Sequence, residues 1–330
     1  MRLDIYVPVL VAVLFGLTVR PLARLVPPVA GVRVLVGVGV CCALGWVWSL
    51  GLLAWTGLAQ LQVVAGIGGW SVAVLRAGDP VPAPVAYVCG GLLLAVAAGF
   101  SLATTRRVRA VWTTSRLGHR LGRNAAELVV LPDLGVEAFA LPALGRRGGR
   151  IVVSAGMLRA LDVEERRVLF AHERAHLTGA HHWWLLTSQL CAAANPVLAR
   201  LPAAVEYLLE RAADEAAAAA VGDRRLAARA LARAGLALLH APGGGVSAGG
   251  IAMGNATTAV QSRVAALLTP PPPARRWLLG AVLLTAVAAA VAAVDAGRDL
   301  EQLFELAIAA HRGRQDLLPG SLATVVASLP

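Results

Sequence analysis

Four apolar runs, at residues 5–19, 34–59, 82–104 and 277–294, set the strongest limit on what this chain can fold into. Only segments that satisfy their own backbone hydrogen bonds are tolerated in lipid, and a helix needs about 20 apolar residues to cross. The run at 5–19 is short unless its ends reach the headgroups. A cleaved leader competes for it, but Asp4 spoils a basic leading region and no small-residue cleavage site follows before Arg24. It is therefore read as a retained span. Composition agrees, since 58% hydrophobic residues and a mean hydropathy of +0.69 lie outside the usual range of soluble domains. The expectation is a mainly α-helical membrane protein with about four transmembrane helices, its constant partner being the lipid bilayer. The stretch 61–75 is apolar but broken by Gly66, Gly68 and Gly69, and reads as interfacial or re-entrant.

Charge then orients the spans. All 30 cationic residues are arginine, and the net charge is +11. Residues 20–33 carry Arg20, Arg24 and Arg33 without an acid, and Arg106, Arg107 and Arg109 follow the third run. Residues 60–80, by contrast, carry one arginine and one aspartate. The positive-inside rule puts the basic sides in the cytoplasm of a bacterial cell, with both termini outside and residues 105 to about 276 inside. Charge spread over loops in this way argues against direct nucleic-acid binding. The absence of lysine also excludes a Ser-x-x-Lys acylation site, a Schiff base and a Walker A motif. Cys41, Cys42, Cys89 and Cys191 lack Cys-x-x-Cys spacing and read as small apolar residues.

Between the third and last spans the pattern changes. Residues 108–123 suggest an interfacial helix, with His119 on its surface. Short β-type runs at 128–131, 137–141 and 150–154, separated by turn residues, predict a small antiparallel sheet. Asp162 and Glu165 have capping-box spacing, and Gly179 can close the helix they open. Within that helix residues 172–176 read His-Glu-Arg-Ala-His. Histidines four apart share a face and can reach one Zn²⁺, and Glu173 between them can act on a water at the metal. A chance match on a solvated helix is the competing reading. However, Leu169, His172 and His176 share the face expected to turn toward the sheet, which favours a metal site.

A third ligand is needed, and the residues leave two open. His182 completes a His-Glu-x-x-His-x-x-Gly-x-x-His spacing with Gly179, although Met253 is a weak match to the methionine turn that this pattern also expects. Glu210 lies on a later helix, with Asp214 one turn on and able to accept the second N–H of a ligand histidine. Residues 202–239 read as helical with a break at Gly222-Asp223, and 257–268 as a short helix. Residues 243–254 form a Gly-rich loop and 270–273 a stiff proline connector.

The ordered motifs Ala138-Phe139-Ala140-Leu141-Pro142, Gly149-Arg150-Ile151-Val152-Val153-Ser154, Met157-Leu158, His172–His176, Asn195-Pro196 and Glu210-Arg211-Ala212-Ala213-Asp214 resemble the BlaR/MecR-type membrane metallopeptidases. These are gluzincins, and a more distant similarity links the chain to the HtpX and CAAX-prenyl protease group. The likeness covers about residues 125–240. It implies a zincin-like α+β protease domain at 105–269, Zn²⁺ as cofactor, Glu210 as third ligand and Asp214 as its support. Residues 183–201 then cannot cross the bilayer, because Glu210 would be carried away from the histidines. That apolar helix must be buried against the protease or dip in and return at Asn195-Pro196. The sequence departs from the family at Glu137, which replaces the usual asparagine, and it holds no penicillin-binding sensor domain.

The resulting expectation is a zinc endopeptidase that cuts a cytoplasmic or membrane-proximal protein, with a transcriptional repressor or other signalling protein as regulatory substrate. Membrane-protein quality control and a non-catalytic, zinc-stabilised signalling scaffold are the rivals. Ala138, Phe139 and Ala140, or Ile151 and Val152, are candidates to align the substrate as an edge strand. Tyr207, Arg211 and His240 are considered as oxyanion donors.

Overall fold

The computed structural model describes residues 4–78, 81–120, 127–133, 135–141, 149–240, 250–269 and 275–317. The turn at 145–148, the glycines at 243–245 and 249, the proline connector and the tail beyond 317 lie outside these residues. Four helices are long and apolar enough to cross a membrane, spanning Asp4–Leu25, Pro28–Ala59, Ala83–Arg109 and Arg276–Gly313. They belong to α1 (Val7–Leu25), α2 (Pro28–Ala59), α5 (Ala83–Arg120) and α12 (Arg276–Leu317), while α3 (Gln62–Gly68) and α4 (Val72–Gly78) are two short helices between α2 and α5.

Each of the four long helices overruns its apolar run at one end or more. Arg20 and Arg24 lie inside α1 and Arg33 inside α2, so the basic "loop" reduces to Val26 and Pro27. Arginine propagates a helix well, and what breaks this one is Pro27-Pro28, with Pro28 then supplying the preset φ of a new first turn. For the same reason α5 continues unbroken into the interfacial helix anticipated at 108–123, and α12, 42 residues long, runs on past Asp295 and Asp299.

The sheet consists of β1 (Leu128–Leu131), β2 (Ala138–Leu141) and β3 (Arg150–Ser154) in the order β1-β3-β2. It is mixed, which corrects the antiparallel expectation: β2 pairs antiparallel with β3, but β1 lies parallel to β3 on its other side. Strand patterning reports which residues form strands, not which neighbour a connection selects. Being central, β3 has no free edge, so Ile151 and Val152 cannot align a substrate; both side chains are buried. Ala138, Phe139 and Ala140 remain on the edge formed by β2.

Helices α6 (Ala155–Ala160), α7 (Val163–Thr178), α8 (His181–Ala194), α9 (Leu201–Val221), α10 (Arg224–His240) and α11 (Gly250–Leu268) complete the described fold. Gly222, in the left-handed conformation, makes the break between α9 and α10.

The apolar segment at 183–201 does not form a long crossing helix. It ends at Asn195, whose Oδ1 accepts the Val197 N–H at 3.1 Å, and the chain turns through a short 3₁₀ helix at Pro196–Leu198 into α9. This turn packs into the span bundle. A Cβ at Gly16, halfway along α1, would collide with the Val197 carbonyl, and one at Gly39 of α2 would meet the Leu201 side chain. Leu198, Leu201, Val205 and Leu208 are fully buried in one core with Val19, Leu35 and Val38 of the spans. The segment therefore enters alongside α1 and α2 and returns, leaving α7 and the later turns of α9 side by side.

Candidate metal centre

The start of α7 is held from two sides. The Asp162 carboxylate accepts the Glu165 N–H at 2.9 Å, and Glu165 accepts the Asp162 N–H at 3.0 Å, closing the capping box. The fully buried Glu165 carboxylate also meets Arg229 at 3.2 Å and Arg233 at 2.8 Å, both on α10. Gly179 ends the helix with an ordinary negative φ, and Ala180 takes the left-handed conformation instead. Glycine is required at 179 for close approach, because a Cβ would run into the His181 ring and lie 3.0 Å from the Ala175 carbonyl oxygen.

From this clamped helix His172 and His176 project together, their Nε2 atoms 3.1 Å apart. Glu210 of α9 reaches the same point, with one oxygen 3.6 Å from His172 Nε2 and the other 3.5 Å from His176 Nε2. Ligands about 2.0–2.1 Å from a tetrahedral ion sit roughly 3.3 Å from one another. The three donors match that spacing and chemistry, so the residues fit a tetrahedral divalent ion. Asp214, one turn beyond Glu210, is 3.2 Å from His172 Nδ1 and fixes that ring from behind. His176 Nδ1 lies 2.9 Å from His181 Nδ1.

His182 stands apart from this triad. Its ring lies against Trp183 at 5.1 Å between centroids, and Met253 falls inside α11 rather than at a turn. Tyr207 and Arg211 bond each other at 3.3 Å, and His240 bonds the Leu236 carbonyl at 2.7 Å. None of these three lines the cleft over the triad, which has a volume of about 380 Å³.

The cation at the site is Arg263 of α11, a residue that sequence reading passed over. Its Nε and Nη2 engage the two Asp214 oxygens at 2.7 and 2.6 Å, and its Nη1 is 2.7 Å from Glu210. Nothing in local pattern separates it from 29 other arginines. Only the folding of α11 across α9 brings it here.

Electrostatics follow from this packing. Burial disfavours the His172 cation, but Asp214 and Glu210 outweigh it and hold the ring up at about 9. For His176, burial and the neighbouring His172 both act against the cation, and its pKa falls to about 4. Burial would raise Glu210, yet His172 and Arg263 bring it down to about 2. Glu173 is raised by burial, opposed by His172 and by a hydrogen bond from the Ala140 backbone on β2. A buried carboxylate with a raised pKa, touching both the triad and a strand edge, suits proton transfer.

Residues 106–205 match the family described as Peptidase family M48. No curated protein and no solved structure matches the chain. The matched region contains the sheet, the motif helix and α8, and stops short of Glu210, Asp214 and Arg263. Together with the four apolar helices, it supports a membrane-associated metallopeptidase.

Proposed function

We propose that this chain is a membrane-embedded zinc endopeptidase that cuts a cytoplasmic or membrane-proximal protein. The observation that carries the reading is the convergence of His172, His176 and Glu210 at ion-binding separations, with Glu173 beside them. In this reading the two histidines offer Nε2, Glu210 offers a carboxylate oxygen, and Asp214 accepts the Nδ1–H of His172, fixing its tautomer. Zinc held there would supply Lewis-acid polarisation and make a nearby water easier to deprotonate. Glu173 takes a proton from the attacking water and delivers it to the leaving amine. The free edge of β2 lies next to Glu173 and aligns an extended peptide by strand addition.

The arginine asymmetry supports a cytoplasmic protease domain, and the motif likeness to the antirepressor peptidases supports a regulatory substrate such as a repressor. The test uses the full-length protein in membranes or detergent. Glu173→Gln should keep zinc and lose peptide cleavage, and cleavage by the zinc-loaded variant would refute the mechanism. Metal analysis should find that Glu210→Ala loses zinc and His182→Ala keeps it; the opposite pattern would move the third ligand to His182.

A further inference from the structure

The cleft over the triad is lined by Phe139 and Ala140 of β2, by Leu185 of α8 and by Leu209 of α9, beside the reactive groups. Glu206 lines it as well. This exposed residue stands one turn before Glu210 on α9 and shares its face. Among the described residues Glu206 has no hydrogen-bond donor and no arginine partner. Glu164, Glu165, Asp214 and Glu215, by contrast, each pair with an arginine. No described arginine lines the cleft, and Arg263, the cation at the triad, is bound to Asp214 and Glu210. Burial, and then the neighbouring Glu210 charge, push the Glu206 carboxyl above its ordinary pKa, so its charge is disfavoured where it stands.

We propose that Glu206 is a specificity residue that selects a lysine or arginine side chain close to the scissile bond of the substrate. The inference rests on the peptidase reading. A peptide laid in the cleft drives out the water that solvates this carboxylate, and a charge left unpaired there costs free energy that an opposite charge on the peptide offsets. The cleft supplies no such charge of its own, so the substrate must. An acidic side chain at the same place meets Glu206 and Glu210 together and is rejected. Lysine and arginine also bring an apolar stem, for which Leu185 and Leu209 offer surface within the same cleft. One helical turn separates Glu206 from the ligand Glu210, about 5.4 Å, and residues of an extended peptide are about 3.3 Å apart, so the selected side chain lies within about two positions of the cut.

The test profiles cleavage of a peptide library by mass spectrometry, using zinc-loaded full-length protein. At one position within this window, wild type should cut peptides carrying Lys or Arg at least about 10-fold more often than those carrying Gln, the scale of one hydrogen bond to a charged group. Peptides carrying Glu there should be cut least. Glu206→Gln should keep its zinc and level Lys with Gln, and Glu206→Arg should reverse the preference toward Asp and Glu. Binding reads the same preference if a variant does not cut. On zinc-loaded Glu173→Gln protein a labelled Lys peptide should bind at least about 10-fold more tightly than its Gln counterpart, and adding Glu206→Gln should abolish the difference. A wild-type profile indifferent to charge, a Lys preference that survives Glu206→Gln, or loss of zinc in Glu206→Gln overturns the assignment and leaves the peptidase standing. If wild type and Glu173→Gln generate the same peptides, the peptidase reading falls and the specificity residue with it.

Discussion

Replacing Asp214 with asparagine keeps the size of the side chain but changes both of its contacts. In the native site one oxygen, Oδ1, is 3.2 Å from His172 Nδ1 and 2.6 Å from Arg263 Nη2, while Oδ2 takes Arg263 Nε at 2.7 Å. An asparagine can present its carbonyl to His172, but its NH₂ then points at the Arg263 guanidinium, donor against donor. One charge-assisted bond is weakened and a bidentate pair is broken, in a place where the Asp214 side chain is only 3% exposed. A hydrogen bond to a charged group contributes about 1.5–3 kcal/mol. Loss of a carboxylate behind a ligand histidine typically costs 10–100-fold in metal affinity, or about 1.4–2.7 kcal/mol. The two estimates agree. Asp214→Asn should therefore weaken zinc binding about 10–100-fold, measured by competition with a chromophoric chelator on the detergent-purified protein. An affinity within twofold of wild type would refute the idea that Asp214 orients His172 for the metal.

Protons give an independent check. Because His172 is held up at about 9 and Glu210 down at about 2, zinc binding at pH 7 should displace close to one proton from His172, in addition to any released by water at the metal. His176, lowered to about 4, is already neutral and adds none. Zinc affinity should rise at least about tenfold per pH unit from 7 toward 9 and less steeply above, once His172 is neutral in the free protein. Calorimetric titration in two buffers of different ionisation heat reads the proton directly; zero release at pH 7 would contradict the assignment. At the other end of α7, Glu165→Ala removes half of the capping box and leaves Arg229 and Arg233 without this carboxylate. Cap loss and a broken buried pair together suggest about 2–3 kcal/mol, discounted because both arginines are more than half exposed. First-turn amides of α7 should then exchange at least about 30-fold faster, and unchanged exchange would show that the box does not hold the helix.

Legibility from sequence followed the range of the interaction involved. The motif helix was readable to its ends, because Asp162, Glu165 and Gly179 act within a turn of what they terminate. The runs at 128–131 and 150–154 became β1 and β3 with those bounds, since alternation is a local property. Span positions were readable, but span ends were not. Hydropathy marks where lipid can surround a helix, whereas the helix itself stops only at a breaker such as Pro27-Pro28. Gly179 ends the helix as its position suggests, but it also makes room for His181, a contact that no local rule encodes.

The sequence by itself determined that this chain has membrane-length helices, that one polar helix carries two histidines on a single face, and that a Glu-x-x-x-Asp pair follows on another. Each of these is a periodicity or a spacing. The tertiary structure alone decided that Glu210 and not His182 meets those histidines, that β3 is central and β2 the usable edge, and that Arg263 locks the Glu210–Asp214 pair. The chain turns at Asn195, where the sequence already offers Asn195-Pro196 as the place. The tertiary choices depend on which of several chemically suitable residues are brought within about 4 Å of one another. That follows from how the turn between α8 and α9 packs against Gly16 and Gly39 of the spans, a constraint that is long in sequence and absent from any single segment.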